Sequence, residues 1–524
     1  MNLQDLLAPI HYNIVDDIEK HRSDKTALMM EDESGVVTTL TYKELLNKAN
    51  QFANALIKKG VKKGDGVLVI MHRSLETYIA YLGLWKVGAV ISPASEMLKA
   101  KDLHLRFKLA DIKGVVAHGH YTTEVDKANN DYNALTVKIA VDQHVASWDN
   151  FDDLSTTESN TFTNVVTAST DPALIAFTSG TTGNPKGVVH IHGWGYAHLR
   201  TASERWLDIR EDDMVWATAG PGWQKWVWSP FLSVLGRGAT GFLFQGRFNP
   251  EKQLTLVEKY NINVFCCTPT EYRLLAKVDQ LERFNLDSLR STVSAGEPLN
   301  SEVINIFQEK FGLKVRDGYG QTESTLLIGT LKDAEIRPGS MGQPLLPEFI
   351  HVIDENGQPV KEGEVGDIAI LRSFPALFKG YHKEPERLAK AIRGDYFVTG
   401  DRATFDADNY FWFQGRNDDI IISSGYTIGP FEVEDALTKH PAVKEVGVVA
   451  SPHEFRGAIV KAFIVLTDGY TASDDLVKEL QNFTKKITAP YKYPRSISFV
   501  SALPKTDSGK VKRVTLRNQE YGIK

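Results

Sequence analysis

The stretch "FTSGTTGNPKG", Phe177 to Gly187, concentrates the residue types that hold an anion. Its glycines let backbone N–H groups approach closely, and Ser179, Thr181 and Thr182 add hydroxyl donors. Lys186 adds positive charge, and the run "ALIAF" reads as a buried strand that anchors the loop. A phosphate is the natural guest. The spacing is not that of a Walker A loop, which needs Gly, four residues, then Gly-Lys-Ser/Thr. Here Gly180, Gly183 and Lys186 are spaced otherwise, and Gly187 follows the lysine. A flexible surface turn is the competing reading, and the dense donors beside a buried strand weigh against it. Just downstream, "HIHGWGYAH" offers His190, His192 and His198 as metal ligands. No cysteine or acid cluster accompanies them, so they are read as polar residues of a loop and helix near the phosphate site.

Four more segments continue the pattern: "SAGEPL" (Ser294 to Leu299), "DGYGQTES" (Asp317 to Ser324), "YFVTGDRATFDADNYFWFQGRNDDIIISSGY" (Tyr396 to Tyr426) and "LPKTDSGKVKR" (Leu503 to Arg513). In this order, and with the loop above, they resemble the motifs of the adenylate-forming superfamily: acyl-CoA synthetases, amino-acid adenylation domains and luciferases. The resemblance implies two steps. A carboxylate attacks the α-phosphate of ATP, giving an acyl-adenylate and pyrophosphate. A thiol then displaces AMP.

It also implies parts for single residues. Thr178, Ser179, Gly180, Thr181, Thr182, Gly183 and Lys186 would hold the β- and γ-phosphates. Tyr319 would lie along adenine with Gly296, Glu297 and Pro298 on its other side, and Asp317, Gly318, Gly320 and Gln321 would join the ATP-binding segment. Thr322 would reach a phosphate and Glu323 would take the Mg²⁺ side, since Mg²⁺ keeps waters and substrate phosphates and needs few protein ligands. Asp401 would accept from both ribose hydroxyls, and Arg416 would stand near the ribose and α-phosphate. Lys510 would neutralise charge where the acid meets the α-phosphate. Asp418 would be the hinge between the domains, and Ser424 with Gly425 would border the tunnel for the CoA thiol. Plainer readings compete: turn chemistry for Asp401, a surface arginine beside Asp418 and Asp419, core packing for Tyr319, a helix N-terminus for Thr322–Glu323, one more solvated lysine for Lys510. One departure from the pattern is Thr427, where many relatives are basic.

Acetate-specific relatives carry a tryptophan directly before Gln-Thr-Glu, plugging the acyl pocket; here that position is Gly320. Each buried methylene is worth about 0.8 kcal/mol, so an unplugged pocket favours a longer or branched acid. "GPGWQKWVWSP" (Gly220 to Pro230), "VSAGEPL" and "GSMGQPLLP" resemble medium-chain acyl-CoA synthetases, with Trp223 matching an aromatic gate at the acyl site or, alternatively, packing in the core. The expected activity is therefore an AMP-forming, ATP-dependent acyl-CoA synthetase for short- to medium-chain acids, branched ones included. A ligase that serves a carrier protein and an acetyl- or propionyl-CoA synthetase are the alternatives. A ligand acid for a substrate ammonium is missing from "AGPGWQKW", which disfavours amino-acid adenylation.

The elements that must position these residues are legible as an α/β pattern. "LTYKELLNKANQFANALIKKG" carries a capping box, Thr41 with Glu44, and helical apolar spacing. "GVLVI", "SLETYIAYLGLWKVG" and "AVISPAS" read as strand, helix, strand, which predicts a parallel sheet covered by helices. From about Arg337 to Arg416 short alternating strands with Asn-Gly and Asp-Asn turns predict a β-rich section. The last stretch predicts a small mobile α+β domain, residues 418–524, after a large domain over 1–417. A chain of 524 residues is too long for one core, and a net charge of −6 argues against a nucleic-acid binder. Cys266 and Cys267 are neighbours on a predicted strand, so they face opposite ways and form no disulfide. With no membrane-length apolar run and no signal-peptide pattern, the expectation is a cytoplasmic protein with ATP, Mg²⁺, CoA and a carboxylic acid as partners. The oligomeric state is left open, a homodimer included.

Overall fold

The computed structural model describes residues 3–178, 185–416, 419–423, 426–453, 456–489, 491–506 and 509–523. Among the described residues the strands form four sheets, of nine, eight, five and five strands. The chain folds as a large N-terminal α/β domain followed by a smaller C-terminal one. Apolar strands bounded by helices give the large sheets their parallel centres, as the βαβ reading predicts. The strand Gly66–Ile70 is buried throughout and pairs in parallel with Val90–Pro93 on one side and Ile112–His118 on the other. The helix Tyr42–Lys58 opens with the capping box of Thr41 and Glu44, and its buried face includes Leu45, Ala49, Phe52 and Leu56.

Two aromatic-rich segments wedge between these sheets. Trp85, Trp226, Tyr78, Tyr81 and Phe231 are fully buried and pack ring against ring. Val227–Ser233 is a π-helix that tolerates Pro230, and its Ser233 hydroxyl bonds to Ser203 at 2.7 Å in a second π-helix, Leu199–Trp206. Such wide turns leave no period in a sequence and recur at functional sites. Cys266 and Cys267 are free thiols on the strand Val264–Cys267, and they enter different core clusters on its two faces.

The β-rich section forms a five-stranded antiparallel sheet around Gly366–Leu371 and Tyr396–Phe405. Asp406–Asn409 turns the chain back into Phe411–Arg416, which leads toward the small domain. There the long hairpin Val443–His453 with Gly457–Leu466 packs against the helices Pro430–Thr438 and Asp474–Ile487 through Val433, Leu437 and Leu480. The proposed boundary at 417/418 and the hinge at Asp418 lie outside the described residues.

Candidate active site

The strands Pro172–Thr178 and Lys186–Ile191 form an antiparallel hairpin, in which Thr178 faces Lys186. Residues 179–184 between them, and with them Ser179, Gly180, Thr181, Thr182 and Gly183, lie outside the described residues. The Thr178 hydroxyl is buried without a partner among the described residues. Lys186 reaches across to Glu323, Nζ to Oε1 at 2.5 Å. The Tyr381 hydroxyl donates to the same oxygen at 2.9 Å, and the Lys186 ammonium lies 4.8 Å from the Tyr381 ring centre. Glu323 is thus a buried carboxylate held by two donors.

Glu323 and Thr322 sit in a turn between Val315–Gly320 and Leu326–Gly329, not at the start of a helix. That removes the helix-terminus reading of the pair. Behind the turn, His190 Nε2 lies 2.6 Å from the Thr322 carbonyl, so this nitrogen carries the proton. His192 accepts from the Ile14 N–H, and His198 bonds to Thr325 and Ser233. Burial holds all three imidazoles at about 4, neutral at physiological pH, and they do not group as metal ligands. The polar reading of these histidines describes their partners.

A second cluster forms at the ends of two strands. Asp401, on Tyr396–Phe405, is buried and accepts from the Tyr319 hydroxyl at 2.6 Å and from Gln321 Nε2. Burial raises its pKa, opposed by Arg416, whose Nε lies 3.7 Å from Oδ1. Arg416 is half-exposed and faces Asp401, while Asp419 is taken by Arg517 at 2.7 Å. Tyr319 presents its hydroxyl to this acid and is only partly buried, so it is more than core packing.

Asp317 is deeply buried, with the N–H groups of Leu299 and Gly318 on its oxygens at 3.3 and 2.8 Å. Burial pushes it up to about 7. Gly318 is a packing glycine: a Cβ there would fall 2.5 Å from the Trp206 ring. Gly320 is one as well. A Cβ on Gly320 would fall 2.4 Å from the Thr325 carbonyl oxygen and 3.0 Å from Leu326 Cα. Its bare face is closed by its own returning chain, so the glycine is demanded by the turn and does not by itself open an indole-sized space for an acid.

Gly296 has φ +112°, a conformation that favours glycine, and follows the strand Ser291–Ala295. Glu297 next to it takes the Thr270 hydroxyl on both oxygens, at 3.2 and 3.1 Å, with Arg273 at 3.5 Å; Pro298 follows. Trp223 caps the short helix Gln224–Trp226 and is half-buried, outside the core clusters that hold Trp226. Its ring and the Arg73 guanidinium both approach Gly220.

Lys510 pairs with Thr506 across the chain. Thr506 N–H donates to the Lys510 carbonyl at 2.7 Å, and Lys510 N–H returns a bond to the Thr506 hydroxyl at 3.1 Å. Its ammonium is attracted by Glu297 and Asp401 and repelled by Lys225 and Arg416. Enclosure between the two domains lowers its pKa, with Glu297 opposing the shift and Lys225 adding to it. The residue is nevertheless exposed to solvent. Ser424, Gly425 and the Thr427 side chain lie outside the described residues.

Two residues of this neighbourhood escaped the sequence reading. Tyr381 follows a glycine at φ +153° in "KGYHKEP" and carries no motif signal. Lys225 lies inside "GWQKW", where the tryptophans drew the attention, and its ammonium donates to the Ala295 carbonyl beside Gly296.

The chain matches the family described as AMP-binding enzyme over residues 15–382, and the AMP-binding enzyme C-terminal domain over 432–510. It is 56% identical to an uncharacterized acyl–CoA ligase, YtcI, of Bacillus subtilis, over 99% of this chain and 98% of that protein. It is 40% identical to the mitochondrial acyl-coenzyme A synthetase ACSM3 of Mus musculus, over 94% of this chain and 86% of that one. The crystal structure of the anthranilate CoA ligase AuaEII with anthranoyl-AMP superposes with a TM-score of 0.92, at 28% identity over 99% of both chains. Among the described residues no helix is long and apolar enough to cross a membrane. The chain belongs to the AMP-binding enzyme family, as an acid–thiol ligase of the acyl-CoA synthetase kind that forms an acyl-adenylate from ATP and passes the acyl group to CoA.

Proposed function

We propose that the acid this enzyme activates is a short- to medium-chain fatty acid, branched ones included. The single observation that supports the division of labour is that Lys510, carried by the small domain, lies within the electrostatic reach of the acids Glu297 and Asp401 of the large one. In this reading the carboxylate of the acid meets the α-phosphate beside Lys510, which neutralises the charge that builds there. Asp401 exchanges its Tyr319 and Gln321 partners for the ribose hydroxyls, and Arg416 stands over the ribose and α-phosphate. Thr178, Lys186 and the loop after Thr178 hold the leaving pyrophosphate; the unpartnered Thr178 hydroxyl is a donor in waiting.

The donor set also fits Mg²⁺. One buried carboxylate, Glu323, with nucleotide phosphates and water supplies the oxygen ligands this ion prefers. When bound, Mg²⁺ would offset phosphate charge. Lys186 and Tyr381 hold Glu323 in place until then. After adenylate formation the small domain swings about Asp418, withdraws Lys510 and brings the Ser424–Gly425 segment to the thiol path.

With Gly320 closed by Thr325, chain length rests on the acyl-side aromatic stretch around Trp223. The test is AMP release with CoA and a panel of acetate, butyrate, isobutyrate, 2-methylbutyrate, hexanoate and benzoate. A kcat/KM maximum among the four- to six-carbon acids supports the proposal; a maximum at acetate or benzoate contradicts it. The proposal places the enzyme in the cytoplasm, where Cys266 and Cys267 stay reduced, and sedimentation decides between monomer and homodimer.

A further inference from the structure

Three neighbouring parallel strands end in residues that share one point in space. Val90–Pro93, Gly66–Ile70 and Ile112–His118 lie side by side in the order given, with Gly66–Ile70 in the middle. Just beyond their carboxyl ends stand Glu96, His72 and His120, the last in the turn Gly119–Tyr121. One ligand atom from each lies within 4.8 Å of the others. The carboxyl edge of an open parallel sheet is where such folds bind ligands.

The surroundings orient the donors. His72 stacks on His118, ring centres 3.4 Å apart and planes 12° apart, and the His72 backbone N–H donates to His118 Nδ1 at 3.2 Å. Gln245 lies 2.9 Å from His72 Nε2, and a side-chain amide can turn to present its oxygen as acceptor. A polar partner on the second ring nitrogen is what metal-bound histidines carry, because it fixes tautomer and ring direction. The Tyr121 hydroxyl donates to Glu96, and Asp142 accepts from Gly119 N–H at 3.1 Å, pinning the turn that carries His120. A Cβ on Gly119 would fall 2.6 Å from Gln143, so this turn is closely packed.

We propose that His72, Glu96 and His120 form a binding site for a borderline divalent cation, with Zn²⁺ the best fit. Two imidazoles and a carboxylate suit Zn²⁺, whereas Mg²⁺ prefers all-oxygen ligands. Three protein ligands leave a fourth position for water or substrate. Ligand bonds of about 2.0–2.2 Å require donors slightly closer than 4.8 Å, and the exposed Glu96 and His120 side chains can swing the difference. The site is separate from Glu323. It adjoins the acyl side: Ser95 backs directly onto Gly222, and Arg73, next to His72, donates to the Thr218 carbonyl.

Isothermal titration of the metal-free full chain with Zn²⁺, in excess Mg²⁺ and without nucleotide, tests the proposal. The expected result is one equivalent bound per chain, weakened at least about tenfold by Glu96→Gln and by His120→Asn. Both positions are exposed, so both variants should melt like the parent without metal; if one does not fold, the other carries the comparison. No tight equivalent in the parent, or the same isotherm in parent and folded variants, overturns it.

Discussion

The two lysines to which the proposed mechanism gives phosphate-side work, Lys186 and Lys510, are held in opposite ways. Lys186 is locked: its ammonium is bonded to Glu323 and lies over the Tyr381 ring, on a strand of the eight-stranded sheet. Lys510 is exposed: its backbone is bonded to Thr506, but its ammonium has no hydrogen-bond partner among the described residues. A charge that grips the leaving group can be built in. A charge needed for one of two steps is better placed on a part that can leave. In the proposed mechanism this difference divides the work between a preassembled half on the large domain and a delivered half on the small one.

That comparison can be broken at four points, taken from the largest expected effect to the smallest. Lys510→Ala should lower pyrophosphate exchange by about 10²–10³ while leaving the melting temperature unchanged, since an aimed charge is lost and no packing is. Glu323→Gln should cost about 10² in the same assay and raise the Mg²⁺ concentration needed for half-maximal rate, because the pole loses its carboxylate. Tyr381→Phe removes one of two donors on Glu323 and should cost about tenfold or less, consistent with about 1 kcal/mol for a single hydrogen bond. If Tyr381→Phe matched Glu323→Gln, the preassembled half would depend on more than that carboxylate.

The smallest effect concerns stability. Asp317 rises from the ordinary aspartate range to about 7 in the folded protein through burial. Between about pH 4 and 7 the folded state therefore holds a proton that the unfolded state has released, so this group's contribution falls as pH rises. Asp317→Asn should flatten that slope, and its melting temperature relative to the parent should be higher at pH 8 than at pH 5 by about 1–2 °C. Parallel melting curves across this range would remove the buried acid from the account.

Much of this was legible before the fold. The βαβ order, the capping box at Thr41 and the opposed cysteines depend on local periodicity, and the fold has all three. Motif order pointed to Lys186, Glu323, Asp401 and Lys510 together, and the fold bonds Lys186 to Glu323, 137 residues apart, while Asp401 acts electrostatically on Lys510. What the sequence hid is whatever depends on a backbone meeting itself. Gly320 looked like an opened pocket, yet the turn folds Thr325 onto its bare face. Tyr381 and Lys225 carry no period and no motif, and only the crossing of remote strands gives them partners. His72, Glu96 and His120 are likewise scattered along the chain and meet only because three strands are neighbours.

The most direct test of the delivered charge separates the two half-reactions in one variant. Lys510→Ala is given synthetic acyl-adenylate and CoA, and thioester formation is followed in a single turnover. The division of labour predicts a rate within a few-fold of the parent, beside the large loss in adenylate formation. An equal loss in both steps would contradict it and make Lys510 a fixture of the site, no different in kind from Lys186.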